Sequence, residues 1–153
     1  MKGLSELGST LTGVSQGLVT AMQQLRIHRA MCQHWGFEKL SVRLDANVAA
    51  LGHSLDALLI AVLTAEHTPD LQGLGRINVG QTVEEIFQSE RRMATDLRDL
   101  TVSVQRILPA SEALARRALE DLVLLLTTQV VTFDQSLELI RQMGIQNFLA
   151  TRA

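Results

Sequence analysis

A chain of 153 residues is long enough to bury one hydrophobic core without disulfide or metal staples, so a single domain over 1–153 is expected. With 46% hydrophobic and 20% charged residues and a formal net charge of -2, the sequence has the balance of a soluble globular protein and no electrostatic attraction for nucleic acid. The lack of tyrosine excludes a phenol as radical, acid or ligand, and the single cysteine, Cys32, excludes an intrachain disulfide and points to a reducing cytoplasm.

The chain opens on Met1-Lys2-Gly3 and runs into Glu6, Ser9 and Thr10, unlike a signal peptide. Leu4, Leu7, Leu11, Val14, Leu18, Met22, Leu25 and His28 recur at steps of mostly three and four, which predicts a first long helix ending near Trp35-Gly36. Leu40, Leu44, Val48, Leu51, Leu55, Leu59 and Val62 carry a second helix, extended until Thr68-Pro69. From about His67 to Gly80 the sequence holds Pro69, Gly73, Gly75 and Gly80 without helical period, which predicts a chain crossing over the bundle.

Thr82-Val83-Glu84-Glu85 has the spacing of a capping box, with a hydroxyl at the helix start and a carboxylate three residues later. The third helix follows with an inner face of Val83, Ile86, Phe87, Leu97, Leu100, Val104 and Ile107. Leu108-Pro109-Ala110-Ser111 then breaks it and caps the next. The fourth helix runs from Glu112 to about Met143, and Gly144 separates it from a short fifth over Ile145 to Ala153. Its uncharged run from Leu122 to Phe133 is too short to span a bilayer, so no membrane is expected as a partner. Two short connections and one long one predict an all-α four-helix bundle with the crossover between helices two and three, a ferritin-like topology.

Several of these segments resemble the bacterioferritin family. The start MKG, the first helix end from Met31 through Trp35-Gly36, the crossover from Pro69 to Gly80 with Val83-Glu84-Glu85, and the tail from Leu139 to Leu149 are all similar to it. The resemblance spans nearly the whole chain. It implies dimers across twofold axes, an octahedral cage with small pores, and iron stored as mineral inside.

A di-iron oxidation centre needs hard carboxylate oxygens and imidazole nitrogens from facing helices. In ferritin-like bundles two helices each give a Glu and the other two a Glu-x-x-His pair. Matched to the family's pattern, those six positions hold Leu18, Leu51, Ser54, Ala94, Leu126 and Gln129, the last two after a one-residue deletion near Pro109. The tyrosine beside the centre is matched by Leu25. No Glu-x-x-His pair occurs elsewhere, so no shift of register recovers the centre, and the chain is expected not to be an enzyme. Ala46, Asn47 and Ala50 stand where some relatives carry further iron-binding side chains, and Glu66, His34 and Glu138 where the resemblance places polar pore residues.

The resemblance also implies haem b at the twofold interface, ligated by a methionine on the second helix. Gly52 stands at that position, with Gln23, Arg26 and Asp45 around the pocket, so no haem is expected there by the family's route. Two replacement ligands are available in principle: His53, one position along the helix, and Met22 on the first helix. His28 reads as hydrogen-bonded between helices, His67 as a loop residue without partners, and Cys32 as a buried thiol.

The function these readings favour is a non-catalytic structural subunit of a bacterioferritin-like cage. Its partners would be copies of itself and a catalytically active bacterioferritin subunit. The alternative is an iron-independent scaffold or interaction protein with the twofold pocket reused for haem or another ligand. Neither a nucleophile-base pair nor a phosphate loop supports a new active site.

Overall fold

Five helices order the chain: α1 (Lys2–His34), α2 (Glu38–Thr64), α3 (Val83–Ile107), α4 (Ala113–Met143) and α5 (Ile145–Arg152). They are those of a computed structural model, which describes the backbone from Lys2 and side chains from Glu6 to Ala153. Leu4, assigned to the inner stripe of α1, lies outside the residues whose side chains are described. Among the described residues there is no strand. α1 packs on α2 and α3 on α4, while α2–α4 and α1–α3 contacts close the square.

The crossover of residues 65–82 returns along α1, so α3 starts beside the end of α1 and runs antiparallel to it. α2 and α4 are antiparallel, as the bond from Arg43 of α2 to Ser136 near the end of α4 shows. The topology is the ferritin-like one expected from the loop lengths. Fully buried Leu11, Leu18, Leu44, Leu51, Leu58, Ile86, Leu119 and Leu122 are drawn from all four long helices and form one core.

Several boundaries are set by local chemistry. Gly36, at φ 85°, takes the left-handed conformation that ends α1. Thr82 is extended, and its hydroxyl accepts from the Glu85 N–H at 3.2 Å. The Glu85 carboxylate reaches back to the Gln81 N–H at 2.7 Å, one residue earlier than a standard capping box requires. α5 folds over the open end of the bundle. Its Phe148 is buried edge-on to Phe87, ring centroids 5.8 Å apart, and the Ala153 carbonyl accepts from the Lys39 N–H at 2.8 Å.

Three expectations need correction. α2 stops at Thr64 rather than near Pro69, because Glu66 adopts φ 62° and the His67 N–H turns back to the Val62 carbonyl. Ser111 does not cap α4: the cap position is Glu112 and no side chain bonds there. Leu100 and Ile107, placed on the inner face of α3, are exposed, because the core stripe runs instead through Ala94, Leu97, Thr101 and Val104. His67 lies in the crossover as read, with its ring packed over Gly8 of α1.

α2 and α4 each contain a window apolar and long enough to cross a membrane, with mean hydropathy of 1.6 and 1.2. One face of each lies in the core. Val42, Ile60 and Leu63 of α2 and Leu124 of α4 remain on the outside.

Cys32 is buried as read from the sequence, and desolvation pushes its thiol up to about 11. A thiol so placed stays protonated and shielded. At about pH 8 the native protein is expected to react with a thiol reagent far more slowly than the denatured chain, measured by absorbance, and equal rates would contradict its burial.

Candidate functional site at the bundle centre

Midway along the bundle, Leu51 of α2, Ala94 of α3, and Leu126 and Gln129 of α4 line one internal cavity, together with Leu25 of α1. The cavity measures about 10 Å³, barely the size of one water, so the side chains fill the centre. Leu18, fully buried, belongs to the same core but not to the cavity wall, and Ser54 lies half-buried outside it. Four of the six positions matched to a di-iron centre therefore converge in space. Three of those four are apolar.

The energetics favour this filling in the absence of metal. Burying Leu18, Leu51 and Leu126 contributes about 1.5–3 kcal/mol each, whereas clustered unpaired carboxylates would repel one another. Gln129 Nε2 finds no partner within the protein. An amide is a poor substitute for imidazole toward iron, having no nitrogen lone pair to give.

One carboxylate does reach the centre, and sequence reading missed it. Glu90 of α3, only 3% exposed, lines the cavity wall, and both its oxygens accept from Gln24 Nε2 at 3.0 and 3.1 Å. His28 Nδ1 stands 3.5 Å from it. The other imidazole nitrogen, Nε2, accepts from the Gly80 N–H at 2.9 Å, so the ring proton belongs on Nδ1, facing Glu90. His28 thus has no lone pair left for a metal. It is hydrogen-bonded, as expected, but to the crossover rather than to a second helix. The signal for Glu90 was its register: it falls on the stripe of Ile86, Phe87, Ala94 and Leu97.

Gln24 and His28 belong to a longer row. Gln16, Thr20, Gln24 and His28 are spaced by four, a step that advances about 40° around the helix, so the row winds from a half-buried Gln16 into the core. Each binds the crossover backbone. Gln16 Nε2 donates to the Asp70 carbonyl at 2.9 Å, Thr20 Oγ1 accepts from Gly75 N–H at 2.9 Å, and Gln24 Oε1 accepts from Asn78 N–H at 3.0 Å. His28 completes the series at Gly80. A side chain on Gly80 would come within 2.5 Å of the Ile86 nitrogen, so only glycine lets the chain pass so close to α3.

At the twofold-type position, Met22 Cε lies 3.6 Å from where a Cβ on Gly52 would be, so the thioether covers the glycine. His53 is exposed on the outer side of α2, and Asp45 is engaged by Arg29 at 3.6 Å. The structure brings Met22 and Gly52 together and leaves His53 apart, about 100° around the helix from Gly52. These residues do not fit a haem held through α2 as the resemblance describes, because nothing at Gly52 can ligate and its neighbour fills the space.

The polar residues matched to pores are exposed: His34, Glu66 and Glu138. Glu138 is spent locally, its carboxyl held down to about 2 by hydrogen bonds from Arg141 and then Gln142. Ala46 is exposed and Asn47 and Ala50 half-buried. Among the described residues, no three His, Cys, Asp or Glu side chains are grouped to hold a metal ion.

Comparison with known proteins places these features in context. The chain is 30% identical over 163 aligned residues to a protein of Synechocystis sp. named bacterial ferritin, covering 99% of both chains. It is 27% identical to the bacterial ferritin of Pseudomonas aeruginosa, again covering 99% of each. It is 29% identical to that of Paramagnetospirillum magnetotacticum, covering 100% of this chain and 95% of the relative. No family model matches the chain.

Proposed function

The chain belongs to the bacterial ferritin family, and we propose that it is a non-catalytic structural subunit of an iron-storage cage, working beside a subunit that oxidises iron. The observation that carries this reading is the centre itself: Leu51, Ala94, Leu126 and Gln129 close to a cavity of about 10 Å³ in an otherwise family-like bundle. A scaffold kept whole around an erased centre suits a subunit whose value lies in assembly. The apolar residues left outside on α2, Val42, Ile60 and Leu63, supply a surface for contact with neighbouring subunits. A cytoplasmic home is part of this reading, supported by the family role and compatible with the free, buried Cys32.

In this reading iron is cargo. The subunit contributes wall and interface, and ferrous iron entering the shell is oxidised at centres carried by the partner subunit. Native purification followed by mass measurement of the intact assembly tests it. Mixed shells containing this chain and a ferroxidase-active ferritin are expected, and assemblies of this chain alone, free of iron, would favour the scaffold alternative.

Haem is not assigned a place in this subunit, since Met22 covers Gly52. Haemin added to the purified protein is expected to give no bis-methionine Soret spectrum. Where haem does bind, Met22→Leu and His53→Ala are the variants to compare, and a spectrum unchanged in both would reject these two candidate ligands.

A further inference from the structure

Of the four side chains that tie the crossover to α1, three cannot change charge: Gln16, Thr20 and Gln24. The fourth, His28, can. It holds Gly80 only through the lone pair on Nε2, so this rung exists only while the imidazole is neutral. We propose that the C-terminal end of the crossover, residues 77–82, is fastened by a proton-sensitive latch formed by His28, Glu90 and the Gly80 backbone.

The chemistry is a single proton uptake from solvent. A proton added at Nε2 turns an acceptor into a donor and sets two N–H groups against each other at a 2.9 Å contact. The Gly80 N–H then loses its partner, and the chain end moves off. The imidazolium that forms keeps its Nδ1–H toward Glu90, which supplies the countercharge at 3.5 Å. Protonation is therefore accommodated on the α3 side while it breaks the bond on the crossover side.

The other charged groups around His28 do not take over the role of Glu90. On α1 and α2, Arg29 and Asp45 pair with each other. At the start of α3, Glu85 is engaged by the Gln81 N–H. Arg76 of the crossover and Arg92 and Asp96 of α3 line a neighbouring cleft of about 810 Å³, which Gln24 and Gly80 also line. That cleft brings solvent up to Gly80, the bonded partner of a histidine that is itself fully buried. Release of Gly80 widens it toward Glu90 and the bundle centre. Proton uptake at Nε2 breaks this rung and proton loss restores it, so the latch opens on acidification and closes on its reversal.

Hydrogen exchange of the assembled full-length protein, read by mass spectrometry at about pH 7.5 and about pH 5.5 and corrected for the intrinsic exchange rate, tests the latch. Protection of residues 77–82 is expected to fall roughly tenfold at the lower pH relative to residues 70–76, the effect of losing one hydrogen bond. Equal changes in both segments would overturn the proposal. In His28→Gln the amide oxygen can accept from Gly80 without titrating, so the pH dependence should vanish, and its persistence would also overturn the proposal. If that variant does not fold, Glu90→Gln removes the countercharge and should shift the opening to lower pH; an unmoved midpoint would count against it.

Discussion

Leu51→Glu is expected to destabilise the protein by about 3–5 kcal/mol at neutral pH, the cost of a buried charge with no partner. Leu51 is 1% exposed, and the cavity it lines offers one carboxylate, Glu90, whose oxygens are already bound to Gln24. A second carboxyl there would resist ionisation, so its folded pKa would lie above the unfolded value. Stability of the variant should accordingly be highest in acid and decline as pH rises through that folded pKa, the reverse of a salt-bridged carboxylate. Urea unfolding at several pH values measures both effects, with the exposed-site change His53→Glu as a control expected within about 0.5 kcal/mol of the parent. A neutral effect of Leu51→Glu, or its rescue by ferrous iron, would mean that the centre still accommodates metal.

In mixed shells the rate of ferrous oxidation should rise in proportion to the fraction of active subunits and extrapolate to the protein-free rate for this chain alone. The reason is geometric. A di-iron centre of the ferritin-like type is built inside one four-helix bundle, from side chains on all its helices. Leu18, Leu51 and Leu126 occupy the core of this bundle, so no neighbouring subunit can complete a centre here. Stopped-flow absorbance across a series of mixing ratios reads the dependence directly. A rate independent of composition, or one exceeding proportionality, would show that this chain contributes chemistry.

Much of the architecture was legible because apolar periodicity and loop length are local signals. Val14, Leu18 and Leu25, or Leu44, Leu51 and Val62, mark their buried faces by spacing alone, and Gly36 and Thr82 announce helix ends through backbone and hydroxyl chemistry. The end of α2 was not legible, since a glutamate in left-handed conformation closes it before the proline that looks like the stop. Leu100 and Ile107 misled because periodicity finds an apolar side chain without telling whether a neighbouring helix covers it.

Six positions were matched to a di-iron centre by resemblance, and the structure brings four of them, Leu51, Ala94, Leu126 and Gln129, to one cavity. What surrounds it was not legible. Glu90 is paired with Gln24, 66 positions away in sequence, and the Gln16–Thr20–Gln24–His28 row is satisfied by backbone groups of the crossover. Backbone donors and acceptors leave no trace in side-chain identity, so the spacing of four was visible while its purpose was not.

Anaerobic titration of the purified, metal-free protein with ferrous iron tests most directly the proposal that this subunit has no di-iron centre. With Leu51, Ala94, Leu126 and Gln129 around a cavity of about 10 Å³, the expected result is weak, non-saturating binding and no change in the unfolding temperature. Saturable uptake of two irons per chain, with a matching rise in thermal stability, would contradict it.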